Sequence, residues 1–387
     1  MGVFRVVGAA VSAGAVLVGV PSAAVGTQKD AEWRLVKTVE ARYGKGFSGF
    51  DQVVALGPSN AFAFGQGNGA EFSTKPTSDL LAYRYDGKTW RHTKLPPKIG
   101  NGFGPVAAVN RTSVFAVATF QRPEAPTPPR AGHYSSTLVR WNGTKWSVVR
   151  KWQGYSIRSM AVLGSKNVWV FGSRVVKGRF KPVALHYDGR SWKERTTPYV
   201  VAAVTKGPKG RLFATGYKPH RFFPEGDGTP RALRFDGKRW RTLSDPVCKG
   251  ATLLAAHRGR PVGTCLKENA KDVSVGTFVS WNGSSWKAER PSAAHGWDLG
   301  EPVSAGAGGL WFVGVADSGS RALFHRSSSG KWTRTVIAPE PLGGSYTNPL
   351  GRRHLAVLPG LGALVRVGGV DDADGNPVGA IARLDGL

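Results

Sequence analysis

Cysteine is almost missing from this chain: Cys248 and Cys265 are the only two among 387 residues. Neither belongs to a CxxC pair or has an adjacent His, which argues against a thiolate metal site or a redox dithiol. The eight His are scattered, and none has HxH or HExxH spacing, so no zinc site is legible. No GxSxG elbow is present for a serine hydrolase, and no Gly-rich phosphate loop follows a strand and opens a helix. Acidic residues are scarce, 25 against 53 Lys and Arg, for a net charge of +28. Long apolar runs are absent beyond the N-terminus, so no membrane span is expected there.

What is abundant is glycine and tryptophan, 52 and 13 residues. Gly supplies tight turns and aromatics fill pleated faces, so the composition leans to all-β structure. The chain starts MGVFR, with Arg5 as its positive charge, then an apolar Gly/Ala-diluted run from Val6 to Val20, then Pro21-Ser22-Ala23-Ala24. This reads as a secretory signal peptide over residues 1–24, followed by a short linker, 25–31, and one domain, 32–387. A secreted, extracellular product follows. In that oxidising compartment Cys248 and Cys265 are expected to pair, because the residues between them read as two short strands around a His257–Arg260 turn.

The domain repeats. Six segments end an apolar strand, turn, and open the next strand at a Trp: Trp90, Trp146, Trp192, Trp240, Trp286 and Trp332. Successive spacings are 56, 46, 48, 46 and 46 residues, the length of one propeller blade. Five of the turns carry Asp86-Gly87, Asn142-Gly143, Asp188-Gly189, Asp236-Gly237 and Asn282-Gly283, which predicts two-residue type I′ hairpins. Seven upstream strand pairs precede only six complete hairpins, because the last unit, Ala380–Leu387, stops before any Trp strand. Glu32-Trp33-Arg34-Leu35-Val36 supplies the missing outer strand and removes two open sheet edges. The expected fold is an all-β, seven-bladed β-propeller of four-stranded antiparallel blades, with the N-terminal strand completing the last one.

The order of a Gly ending the second strand, an aromatic-Asp in the third and a Trp opening the fourth resembles the Kelch and galactose-oxidase-like propellers. It is similar above all to secreted bacterial Trp-repeat propellers. The Gly doublet of Kelch survives only at Gly368-Gly369. The resemblance implies the fold over residues 32–387 and no particular activity. Galactose oxidase copper would need a Tyr–Cys crosslink, and both cysteines are better used by each other; no cofactor or metal is implied. Asp371-Asp372-Ala373-Asp374-Gly375-Asn376 looks like part of a calcium loop but lacks the distal Glu, and reads as a turn. Three sequons occur, at Asn110, Asn142 and Asn282, two of them turn residues.

Much of the positive charge follows the repeated Trp: Arg34, Lys37, Arg91, Lys94, Arg150, Lys193, Arg195, Arg241, Lys287, Arg290 and Arg334. On outermost strands these residues protect sheet edges, and non-specific adhesion to polyanions is a consequence. No nucleic-acid motif is present. Three loops between second and third strands are long, Gln66–Asp79, Gln121–Ser136 and Lys218–Thr229, and long loops on a rigid scaffold are where ligands are met. With the blade-to-blade loops they offer Phe103, Arg130, His133, Tyr134, Tyr155, Arg221, Phe222, Trp297 and Tyr346 as candidate ligand contacts, aromatic faces beside hydrogen-bonding groups. The expectation is a monomeric, non-catalytic binding protein for an extracellular glycan, an anionic cell-wall polymer or a protein. The alternatives are a glycan-active hydrolase or lyase with its site at the same mouth, or a protein scaffold.

Overall fold

A computed structural model describes residues 33–39, 48–67, 74–77, 79–123, 128–224, 226–243, 252–257, 260–268, 274–305, 308–316, 318, 320–336, 355–371 and 377–385. Seven antiparallel sheets form a ring, each running from an inner to an outer strand. Blade 1 holds Gly49–Gly57, Asn60–Gln66, Leu80–Tyr85 and Trp90–His92; blade 2 holds Gly102–Asn110, Ser113–Gln121, Tyr134–Trp141 and Trp146–Gln153. Blade 3 comprises Tyr155–Gly164, Asn167–Val176, Arg179–Tyr187 and Trp192–Arg195, and blade 4 Val200–Lys206, Leu212–Lys218, Asp227–Phe235 and Trp240–Thr242. Blade 5 runs Thr252–His257, Arg260–Glu268, Ser274–Trp281, Trp286–Glu289. Blade 6 has its inner strand in two pieces, Trp297–Leu299 and Val303–Ser304, before Leu310–Ala316, Arg321–Arg326 and Trp332–Val336. Pro302 has no N–H to give the ladder, and Gly300 N bonds Val313 O at 2.8 Å just before the gap. The sequence pattern had started this strand at Val303; the structure adds Trp297 to it.

Blade 7 is closed by the other end of the chain. Leu355–Leu358, Ala363–Asp371 and Pro377–Leu384 are completed by Arg34–Val39, which pairs from Arg34 opposite Arg383 to Val39 opposite Gly379. Trp33, 5% exposed, packs with Leu355, Leu364 and Ala380 where the other blades place their repeated Trp. Segment 372–376, with most of the calcium-like sequence, lies outside the described residues.

The core lies between blades, where side chains of facing sheets interdigitate. Phe62 of blade 1 meets Trp141 and Trp146 of blade 2 at 5.8 and 5.9 Å, edge to face. Trp152 of blade 2 meets Trp192 of blade 3 at 5.1 Å. Gly172 permits a close approach: a Cβ there would collide with the Ser156 carbonyl, beside the irregularity between Ile157 and Ser159. Gly65 has the same relation to the Gly49 carbonyl in blade 1.

The Asp-Gly turns differ from the two-residue form that the sequence predicts. Tyr85 pairs Trp90 and Tyr187 pairs Trp192, so each loop holds four residues. Only the Gly has positive φ, 100° at Gly87 and 94° at Gly189. The side chain explains the larger turn. Asp188 Oδ1 accepts from the N–H groups of Arg190 and Ser191 at 3.0 and 2.9 Å, as Asp86, Asn142, Asp236 and Asn282 accept from theirs.

The outer strands carry the charge belt. Arg34, Arg91, Lys94, Arg150, Lys193, Arg195, Arg241, Lys287, Arg290 and Arg334 are exposed and Lys37 is half-buried. Four of these cations reach the aspartate of their own blade's Asp-Gly: Arg91 to Asp86 at 3.1 Å, Lys193 to Asp188 at 2.7 Å, Arg241 to Asp236 at 3.0 Å and Arg34 to Asp385 at 2.7 Å. The Lys193 ammonium, with the N–H groups of Ser191 and Arg190, holds the Asp188 carboxyl well below the usual range.

Candidate functional site

Strand direction fixes which loops share a face: second-to-third loops lie with blade-to-blade loops, and the Asp-Gly turns lie opposite. On the first face, blades 2, 3 and 4 build one joined surface. The blade 2 loop is pinned at its base by Arg122 N bonding His133 O at 3.0 Å, and by a single 3-10 turn over Ala131–His133. Blade 3 contributes a tight hairpin whose central residues, Lys177 and Gly178, have φ of 49° and 69°, the type I′ signature. In the blade 4 loop, His220 Nδ1 accepts from the N–H groups of both Phe222 and Phe223 at 3.1 Å.

These three elements are cross-linked. Phe180 N of blade 3 donates to Arg221 O at 3.1 Å, and Ser173 Oγ donates to Pro224 O at 2.8 Å. From the other side Tyr134 of blade 2 meets Phe180 edge to face at 5.1 Å. Gln153 Nε2 donates to Ala131 O and Tyr134 O, and Val175 N to Gly154 O. The loops of blades 2 and 4 are therefore anchored on the same hairpin.

The candidate residues divide by this geometry. Arg130, His133 and Tyr134 of blade 2 and Arg221 and Phe222 of blade 4 are brought to this joined surface. Arg130 and Arg221 are exposed, His133 and Phe222 half-buried, and Tyr134 is buried at 4% exposure. The Arg221 guanidinium lies 4.8 Å from the Phe222 ring centre, within cation–π range. His133 Nδ1 is buried and finds no partner among the described residues.

Phe103, Tyr155 and Trp297 sit instead where inner strands begin. Phe103 packs edge to face on Phe64 of blade 1 at 5.2 Å. Tyr155 directs its hydroxyl to Glu194 Oε2 at 3.5 Å, and Glu194 pairs Arg174 at 3.1 Å. Trp297 belongs to blade 6, where it meets Phe324 at 5.5 Å under the Arg334 guanidinium at 5.6 Å. Each of these aromatics is half-buried. Tyr346 and Cys248 lie outside the described residues; Cys265 is 1% exposed.

Further side chains of these loops and of the hairpin complete the surface. Phe223 is 54% exposed and stacks on the His220 ring at 4.4 Å and 18°. Arg122, Lys177, Arg179 and Lys181 are exposed beside Arg130 and Arg221. The signal available was Lys177-Gly178, a positive-φ turn set between two long loops. The same loops hold Glu124, Glu225 and Asp227, so cations outnumber carboxylates.

At the ring centre Gln52, Pro105, Val106, Arg158, Ser159, Met160 and Val204 line a void of about 220 Å³. Ser159 Oγ donates to Val201 O at 2.8 Å, so its hydroxyl proton is committed to structure. In blade 4 Tyr217 is half-buried, and burial and then the Glu301 carboxylate push its hydroxyl pKa up. Among the described residues no group of three or more His, Cys, Asp or Glu could hold a metal ion, and no helix is long and apolar enough to cross a membrane.

No protein-family profile matches this chain, and no curated protein matches it by sequence. Solved structures do match in shape. A prolyl endopeptidase superposes with a TM-score of 0.53 at 12% identity, over 90% of this chain and 47% of that one, so the chain spans about half its length. The β-propeller domain of the Trilobed protease from Pyrococcus furiosus gives 0.48 at 12% identity, over 74% of this chain and 84% of that one. An ulvan lyase of polysaccharide lyase family PL25 gives 0.46 at 9%, over 89% and 95%. The first likeness speaks to the fold alone and the other two superpose more loosely: this chain is a seven-bladed β-propeller.

Proposed function

We propose that this chain is an exported, non-catalytic binding propeller that takes an anionic glycan or cell-envelope polymer on the face built by blades 2, 3 and 4. The observation that supports it is the union of two long loops on one hairpin, through Phe180 N to Arg221 O and Tyr134 against Phe180. The union presents Arg130, Arg179 and Arg221 together with Phe222 and Phe223 on an ordered scaffold. Guanidinium groups pair with carboxylate, sulfate and phosphate oxygens in a fixed fork, and aromatic rings supply flat apolar area for a sugar face. Pre-ordered loops reduce the entropy lost on binding.

Export through residues 1–24, likeness to the Kelch and galactose-oxidase-like group, and a Cys248–Cys265 bridge belong to the same reading. Peptide mapping without reductant checks the bridge: a cross-linked pair supports an oxidising destination, whereas free alkylation of both thiols removes it.

The binding reading is tested with an array of acidic and neutral glycans and cell-wall polymers, probed at low and at high salt. Retention at high salt, lost in Arg130→Ala/Arg221→Ala and in Phe223→Ala, is the expected result. Binding that salt alone abolishes, and that Arg91→Ala/Arg150→Ala on the rim weakens equally, would reduce the interaction to the charge belt.

A further inference from the structure

At two junctions the Trp that opens an outer strand directs its indole N–H at the preceding blade, to the residue three places after that blade's own Trp. At three others that place is held by Val36, Val149 or Leu243, which offer no side-chain acceptor. Between blades 1 and 2, Trp146 Nε1 donates to Thr93 Oγ1 at 3.0 Å. Between blades 5 and 6, Trp332 Nε1 donates to Glu289 Oε1. Between blades 3 and 4 the corresponding residue is Arg195, opposite Ala184 as Thr93 is opposite Ala82. Arginine has no acceptor. Trp240 Nε1 is buried and has no acceptor among the described residues, an uncommon state for a buried donor.

A cleft of about 850 Å³ opens at that junction, on the face of the Asp-Gly turns and away from the long loops. Its floor is aromatic: Trp169, Phe235 and Trp240, with His186 stacked on Trp169 at 4.0 Å and 15°. Its walls are cationic, from Arg195, Lys238 and Arg239. None of these three pairs with a carboxylate among the described residues. Glu194 is on the rim, but its carboxylate is held by Arg174 at 3.1 Å. Asp236 is occupied by the N–H groups of Lys238 and Arg239 and by Arg241. The cleft therefore carries a surplus of positive charge, Arg195, Lys238 and Arg239 against Glu194.

We propose that this cleft is a second binding site, specific for an oxyanion: a carboxylate or phosphoryl oxygen draws the Arg195 guanidinium to itself and, as Arg195 moves, accepts from Trp240 Nε1, which the present packing buries, with Arg239 and Lys238 at the mouth. The site is independent of the loop face, since it lies on other elements and faces the other way. Charge-assisted donors are strong anion ligands, and the aromatic floor supplies a flat apolar wall on one side of the bound group.

The test is a ¹⁵N-indole NMR titration of the full mature chain, with the Trp240 signal assigned through Trp240→Phe. Inorganic phosphate and glucuronate are titrated separately at constant ionic strength. The expected result is saturable movement of the Trp240 signal with at least one of them, the responding arm naming phosphoryl or carboxylate as the group. Arg195→Thr rebuilds the Thr93 arrangement, so it should keep the fold and weaken binding about tenfold or more. Arg239→Ala, on an exposed turn, should weaken it several-fold. A Trp240 signal that moves with neither anion, or equally in wild type and both variants, overturns the proposal.

Discussion

Trp146 of blade 2 gives its indole N–H to Thr93 of blade 1 across 3.0 Å, so the residue that marks the repeat is also a bolt between neighbouring sheets. Trp332 and Glu289 make the same bond between blades 5 and 6. At Trp240, where Arg195 stands at the acceptor's place and the indole N–H has no partner among the described residues, the cleft collects cations.

The junction chemistry also sets a titration. The His186 pKa is lowered first by burial and then by the positive charges of Arg195 and Lys193, with Asp188 opposing. Arg195→Thr removes the cation with the stronger effect on His186. The His186 pKa should therefore rise in that variant, read from its ring proton shifts against pH; a lower or unchanged value would contradict the assignment of Arg195 to the same cleft.

Closure of the ring makes a second prediction. Trp33 is buried in the blade 7 core and precedes the strand that pairs with Pro377–Leu384. Trp33→Ala should cost about 3–5 kcal/mol, and deletion of residues 32–39 should lower the melting temperature more steeply. A deletion variant that melts with the wild type would show that blade 7 does not need this strand.

Gly172 supports a sharper test of local geometry. Any Cβ there meets the Ser156 carbonyl of the inner strand, so Gly172→Ala must displace backbone. A loss of about 1–3 kcal/mol is expected by denaturant unfolding, whereas Gly132→Ala, with open space around it, should change stability little.

Acid sensitivity follows from the turns. Asp86, Asp188 and Asp236 have folded-state pKa values held below the ordinary 3.8, chiefly by Thr89 and Lys88 N–H, by Lys193, and by Arg239 and Lys238 N–H respectively. A depressed pKa means the stabilisation is present above about pH 4 and lost as pH falls through the folded-state values. Asn142 and Asn282 keep the same turn without titrating. The triple Asp→Asn variant should therefore show a flatter stability profile below pH 4 than wild type, measured by urea unfolding at a series of pH values.

Blade number, blade period and ring closure were legible because they rest on spacing, and spacing is a property of the chain. The turn type was misread because Asp-Gly favours two different turns; the difference is whether the Asp side chain captures two N–H groups, as Asp188 does. The aromatics at the starts of inner strands were legible as aromatics, but the partner each one meets was not. Phe103 on Phe64 and Trp297 on Phe324 involve residues from different strands or blades, and no local pattern reports such a meeting. Phe223 and Arg179 acquire their importance only where the loops of blades 2 and 4 come to the same hairpin.

By itself the sequence determined seven units, their four strands and the partner of the N-terminal strand, since hydrophobic alternation and turn chemistry act within a few residues. Which side chains face a common space was decided only in the folded ring. Arg195 is one more basic residue in the chain, and Trp240 one more repeat Trp. They become a binding proposal because blade packing buries the indole N–H at a junction where Arg195 has replaced its acceptor.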